Sequence, residues 1–118
     1  MQSTQKKTIY KKIILTTIVL IIYFGIKILQ KPISECSNLD IQVFNQDTIK
    51  DFNGTNEDKP IYIAYNGCVY DVTPGKDKFY GVEMEYNYLT GKDSSEELNI
   101  AGGGIIKNKY KVIGKYNP

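Results

Sequence analysis

IYIAYNGCVYDVTPGKDKFYGVEMEYNYLTG, running from Ile61 to Gly91, carries the clearest structural signals in this chain. Pro60 opens an apolar, tyrosine-rich strand, Ile61-Tyr62-Ile63-Ala64-Tyr65. Asn66-Gly67 follows, the dipeptide suited to a two-residue hairpin turn because both central positions need positive φ. Cys68-Val69-Tyr70-Asp71-Val72 reads as the return strand, and Thr73-Pro74-Gly75 ends it. A turn region rich in tyrosine occupies the rest, up to Gly91.

On the N-terminal side, Ile41-Gln42-Val43-Phe44 alternates apolar and polar residues as a short strand does. Asp47 or Thr48 is a candidate cap for a short helix through Ile49 and Phe52, stopped by Asn53-Gly54. Thr55 to Lys59 is polar and loop-like. On the C-terminal side, Asp93 or Ser94 is a candidate cap for a helical stretch at Glu96-Glu97-Leu98, with Ser94 and Glu97 at capping-box spacing. Ala101-Gly102-Gly103-Gly104 reads as a flexible connector, and Tyr110 to Gly114 as a final strand. The expected fold class is α+β: a short sheet with a β-hairpin and short helices to one side.

Residues Ile13 to Leu29, IILTTIVLIIYFGIKIL, form an apolar run of 17 positions interrupted by two threonines, one glycine and Lys27. That is the short end of a bilayer span, about 17–25 residues, and a lysine near its end reaches the headgroups by snorkelling. Lys6, Lys7, Lys11 and Lys12 would also suit a signal peptide, but GIKILQKPISEC offers no small-residue cleavage site. An uncleaved anchor is therefore expected. The expected organisation is a basic flank at 1–12, a transmembrane anchor at 13–31, a juxtamembrane linker at 32–40 and a folded domain at 41–118. Four lysines precede the span and two, Lys27 and Lys31, lie at its far end. This excess puts the N-terminus in the cytoplasm and the domain on the extracytoplasmic side of a single-pass protein.

From Cys36 to Pro118 nine lysines face twelve acidic residues, a net charge of −3, so the overall +2 comes from the anchor and its flanks. An acidic domain argues against a nucleic-acid partner. All fifteen basic residues are lysine, so no bidentate arginine clamp exists for phosphate or carboxylate. Cys36 and Cys68 either pair outside the membrane, tying the juxtamembrane segment to the hairpin, or remain two independent thiols. Two cysteines in a chain without histidine make a poor zinc site.

A family resemblance rests on FNG (Phe52 to Gly54), YIAYNGCVYDVT (Tyr62 to Thr73), KFYG (Lys78 to Gly81), Tyr86, GKDSS (Gly91 to Ser95) and the closing Lys109-Tyr110 with Val112-Ile113-Gly114-Lys115. In this order they resemble the cytochrome b5-like haem/steroid-binding domain, and within it the membrane-associated progesterone receptor branch. The resemblance covers residues 41–116. It implies a haem (heme b) held through one axial tyrosine. Tyr86 is the position that matches that ligand. Tyr80 matches a tyrosine that supports it by hydrogen bonding, and Lys109 and Tyr110 match a pair that contacts the haem from the other end of the pocket. Two-histidine ligation is excluded, because the chain has no histidine. Thirteen residues, Glu96 to Asn108, separate Ser95 from Lys109, fewer than the family usually has. A short helix and a glycine loop are the expected remnant of that pocket wall.

The chemistry implied is coherent. A phenol ionises near pH 10 in water, but ferric iron favours the phenolate, and tyrosinate is an axial haem ligand in catalase. Lys109 would pair with a propionate as a point charge. Ile63, Val72, Phe79, Val82, Leu89 and Leu98 are the candidate apolar walls. Tyr62, Tyr65, Tyr70 and Tyr88 read as structural, Met84 as packing, and Lys76 and Lys78 as a solvated turn. The alternatives to haem are a sterol-like or other apolar small molecule in the same pocket, or a purely structural interaction module with a membrane-protein partner or a second copy of the chain. No histidine, nucleophile–base pair or metal cluster is present, so an enzyme is not expected.

Overall fold

The computed structural model describes residues 2–29 and 34–118, with side chains of the first stretch described from 5 to 26. Residues 1–32 and 33–118 form two separate units. The first is one helix, α1 (Gln2–Leu29). Its stretch Gln5–Ile26, 22 residues, is long and apolar enough to cross a membrane, and spans about 33 Å at 1.5 Å per residue. Thr16 and Thr17 return their hydroxyls to the carbonyls of Lys12 and Ile13, at 2.9 and 2.8 Å. This is how threonine is tolerated in an apolar helix. The expected span end at 30–31, the Lys27 side chain and the start of the linker at 32–33 lie outside the described residues.

The second unit is built on a four-stranded sheet of β1 (Val43–Phe44), β2 (Tyr62–Tyr65), β3 (Cys68–Asp71) and β4 (Lys111–Tyr116), in the order β1-β4-β3-β2. β1 runs parallel to β4, and the other pairs are antiparallel. The hairpin forms at the expected place: Tyr65 pairs with Cys68 across Asn66 and Gly67, whose φ values are 48° and 81°. A bulge skips Ile113, because Val69 pairs with Gly114 and Tyr70 with Val112. Residues 91–94 cover the free edge of β2, with Gly91 N–H donating to Tyr62, Ala64 N–H to Lys92, and Ser94 N–H to Ala64. An edge covered in this way offers no template to another chain.

Strand alternation sends side chains to two faces. One face, with Phe44, Ile49, Ala64 and Val69 buried, packs Phe52, Tyr62, Ile113 and Tyr116 around it. The other gathers Ile61, Ile63, Cys68, Tyr70, Val72, Tyr80, Leu89, Leu98, Ile106 and Tyr110. Cys36 joins this second cluster through a disulfide to Cys68, with Cα atoms 5.4 Å apart. The stretch 34–40 is fastened further by the Glu35–Lys107 ion pair and by Lys115 Nζ donating to the Leu39 carbonyl.

Three local expectations are corrected. The first short helix, α2 (Gln46–Ile49), is capped by Asn45, not by Asp47 or Thr48. Asn45 Oδ1 accepts from Thr48 N–H, and Thr48 Oγ1 accepts from Asn45 N–H. Ser94 precedes α3 (Ser95–Ile100) without a side-chain cap. Its buried hydroxyl donates to the Leu89 carbonyl at 2.7 Å, and Glu97 pairs with Lys92 instead. Ala101 to Gly104 is no flexible connector: Gly102, at φ 92°, reverses the chain and starts a second helix, α4 (Gly103–Lys109). The wall after Ser95 is thus two short helices, not one helix and a loop.

Candidate functional site

The site begins where β3 ends. A 3₁₀ turn over Thr73–Gly75 runs straight into a five-residue π turn, Lys76–Tyr80. Such turns are rare and frequent at functional sites. Gly81 N–H closes this one on the Lys76 carbonyl at 2.9 Å, and a Cβ on Gly81 would stand 2.7 Å from that oxygen. The glycine of the FYG motif is therefore required by close backbone approach. The turn drives Tyr80 into the core and leaves Phe79 half-buried.

Tyr86 lies in the next loop, tied to the π turn by its own N–H donating to the Phe79 carbonyl at 2.9 Å. Its side chain is 38% exposed, and its ring sits 6.3 Å from that of Phe79. Asn87 locks this loop. Its Nδ2 donates to the backbone carbonyls of Tyr80 and Asn53, both at 2.9 Å. Sequence reasoning missed Asn87. The available signal was an amide, a side chain with two donors, placed directly after the candidate ligand.

Tyr110 ends α4 and is buried, meeting Tyr80 edge-on at 5.7 Å. Burial pushes the Tyr80 phenol well above its usual range, and the neighbouring Tyr110 and then Tyr86 add to the effect. The shift keeps the Tyr80 phenol protonated further into the alkaline range than an exposed tyrosine. Gly75 makes the room for this pair: a Cβ there would lie 2.6 Å from Tyr110 Oη and 2.8 Å from the Tyr80 ring. Lys109 is exposed, its Nζ 5.6 Å from the Phe79 ring centre and 6.0 Å from that of Tyr110.

A cleft of about 290 Å³ opens here, lined by Pro74, Gly75, Asp77, Lys78, Phe79, Lys109 and Tyr110. A shallower groove of about 570 Å³ adjoins α4, lined by Gly102, Gly104, Ile105, Asn108 and again Lys109. Three of the four predicted site residues, Tyr80, Lys109 and Tyr110, thus cluster at one place. Of these, Lys109 and Tyr110 line the cleft; Tyr80 joins them through Tyr110, and Tyr86 joins through Phe79, whose ring lies near both Tyr86 and Lys109. Of the expected walls, only Phe79 faces the cleft. Ile63, Val72, Leu89 and Leu98 are core residues, and Val82 is exposed. Among the described residues, the face of the sheet that carries Ile63 and Tyr70 is packed by the protein's own turns and helices. Lys78, read as part of a solvated turn, is exposed and also lines the cleft.

Residues 46–116 match the cytochrome b5-like haem/steroid-binding domain. An Arabidopsis thaliana protein named "Probable steroid-binding protein 3" is 44% identical over 69 residues, 58% of this chain and 64% of that one. "Membrane-associated progesterone-binding protein 4", also from Arabidopsis thaliana, is 36% identical over 67 residues, 54% of this chain and 27% of that one. The chain spans less than two thirds of the length of either relative. Among solved structures, a hypothetical Arabidopsis thaliana protein described as having a cytochrome b5-like fold superposes with a TM-score of 0.58 at 28% identity, covering 73% of this chain and all of that one.

Proposed function

Because the chain belongs to the cytochrome b5-like haem/steroid-binding domain family, with relatives in its membrane-associated progesterone receptor branch, we propose that it is a membrane-anchored binding protein, not an enzyme, and that its ligand is ferric haem held through Tyr86. The observation that carries this reading is the convergence on Phe79: Tyr86 on one side, Lys109 over its face, and the Tyr80–Tyr110 pair beside it. The donor set fits the group. A part-exposed phenol is available to ferric iron, an ammonium to a propionate, and an aromatic ring to the macrocycle. When bound, haem supplies an iron centre that phenolate donation holds in the ferric state at low potential, which suits haem handling, sensing or regulation of a partner.

The residues then divide the work. Tyr86 would supply the phenolate to the iron. Tyr80, a protonated phenol, would donate a hydrogen bond that tunes the basicity of the ligand, as outer-shell partners do. Lys109 and Tyr110 would hold the group from the other end of the site. The cleft of about 290 Å³ is small beside ordinary ligand pockets of about 300–1,000 Å³. A large planar ligand would therefore stay partly open to solvent or to a second copy of the chain.

We also propose that the domain lies on the extracytoplasmic side of the membrane. Lys6, Lys7, Lys11 and Lys12 lie in the N-terminal turns of the apolar helix, an excess that favours the cytoplasm for that end, and a disulfide buried in the core persists where the compartment is oxidising.

Reconstitution of the purified full chain with haem tests the reading. A Soret band with a high-spin ferric tyrosinate spectrum is expected, lost in Tyr86→Phe and kept in Tyr88→Phe, a neighbouring exposed tyrosine. No haem uptake at stoichiometric addition would sink it. A second reading, a sterol-like or other apolar ligand, is favoured by the groove beside α4 and its exposed Ile105. It predicts thermal stabilisation of the domain by such ligands and none by haem.

A further inference from the structure

Of the nine asparagines in the chain, only Asn53 has a serine or threonine two positions on, in Asn53-Gly54-Thr55. This is the acceptor pattern for N-linked glycosylation, provided that the segment reaches the secretory side of a membrane. The structure adds two observations that the pattern alone does not contain.

The first is the state of the asparagine itself. It sits in an Asx turn: its Oδ1 accepts from Thr55 N–H at 3.1 Å and from Thr55 Oγ1 at 2.7 Å. Its backbone carbonyl is fixed by Asn87 Nδ2 at 2.9 Å and Thr90 Oγ1 at 3.2 Å. The carbonyl end of the side chain is thus engaged by the threonine of the same triplet, while Nδ2 donates no hydrogen bond among the described residues. Asn53 is half-buried, and among the described residues no buried side-chain nitrogen or oxygen lacks a partner, so its Nδ2 keeps some contact with water. Gly54 is buried, and Thr55 to Lys59 beyond it are all exposed. The second observation is the Cys36–Cys68 disulfide, which marks the domain as one at home in an oxidising compartment.

We propose that Asn53 is an N-glycosylation site of the domain. The inference rests on the extracytoplasmic orientation proposed above. The co-reactant is an oligosaccharide carried on a polyprenyl diphosphate. Asn53 Nδ2 forms a bond to C1 of the first sugar, the bond from C1 to the diphosphate oxygen breaks, and the diphosphate leaves with the electron pair. The amide gives up one proton to a base of the transferring enzyme, and no oxidant or reductant is needed. Thr55 Oγ1, already within hydrogen-bond reach of the Asn53 amide, presents the amide and is the group that makes the site.

The test is expression of the full chain in a eukaryotic secretory system, read by electrophoretic mobility before and after treatment with a peptide N-glycosidase. One glycan-sized shift, removed by the enzyme, is expected. It should vanish in Thr55→Ala and return in Thr55→Ser. A companion chain extended beyond Pro118 by a flexible linker ending in an Asn-Ala-Thr acceptor reports orientation independently. A shift on the extension with none on Asn53 overturns the site and leaves the orientation standing. No shift on either overturns the orientation, and the site with it.

Discussion

Tyr80 and Tyr110 meet edge-to-face, their ring centres 5.7 Å apart and their planes at 81°. One comes from the π turn after the hairpin and the other from the end of α4, thirty residues later. Such aromatic pairs contribute about 0.5–1.5 kcal/mol beyond the area they bury. This pair also joins the two segments that flank the cleft.

The buried phenols predict a fall of stability at alkaline pH. Burial raises the ionisation of Tyr80 above its value in the unfolded chain, and raises Tyr62, Tyr70 and Tyr116 in the same direction. Below about pH 10 these groups are neutral in both states and add no slope. Above it the unfolded chain gives up protons that the folded domain keeps, so stability is lost as pH rises. The urea midpoint should decline through this range, and Tyr80→Phe should make the decline shallower. An unchanged slope in Tyr80→Phe would contradict the assignment of a buried, proton-retaining phenol.

Gly75→Ala should destabilise the domain by about 1–3 kcal/mol, the ordinary cost of overpacking, because its Cβ would meet both Tyr110 and Tyr80. Gly104→Ala in α4 has nothing within 4 Å of its Cβ. It should be stabilising by about 0.5–1 kcal/mol, since glycine is a poor helix residue. Thermal denaturation of the two variants side by side separates steric crowding from a general intolerance of change.

Reduction, or Cys36→Ser with Cys68→Ser, opens a loop of 32 residues. A loss of about 3–4 kcal/mol is expected from loop-closure entropy. The unfolding midpoint in urea with and without reductant measures it, and alkylation mass confirms the thiol count. The loss should come without a change in the sheet signal at low denaturant, because strand pairing does not depend on the bridge.

Asn87→Ala leaves the carbonyls of Tyr80 and Asn53 without the donor that joins them. A cost of about 1–3 kcal/mol is expected, and the haem site proposed at Tyr86 predicts faster loss of haem as well, since the loop bearing Tyr86 is released. Asn87→Asp should rescue neither effect, because a carboxylate cannot donate to a carbonyl. Haem dissociation followed at the Soret band, beside the thermal midpoint, reads both.

The hairpin was legible because its cause is local: Asn66 and Gly67 supply the positive φ that the turn needs, and the flanking residues favour strands. The caps were misplaced because several polar residues stood within reach of each helix start. Asn45 rather than Asp47 won by a reciprocal bond with Thr48, and Ser94 was drawn away to the Leu89 carbonyl. The helix α4 was hidden behind three glycines, which depress helix propensity. Burial of Ile106 in the core against the sheet overrode that preference.

The sequence by itself determined the elements whose energetics are local. These are the apolar helix, the hairpin, the absence of histidine that rules out two-histidine ligation, and the motif order that marks the family. Tertiary structure decided the rest. It buried Tyr80 while leaving Tyr86 part-exposed, turned four expected wall residues into core, made Phe79 the meeting point of the site, and brought Cys36 to Cys68. The reason is that each of these depends on which distant segment fills the space above the sheet. That filling follows from close packing of the whole domain, not from the preferences of neighbouring residues.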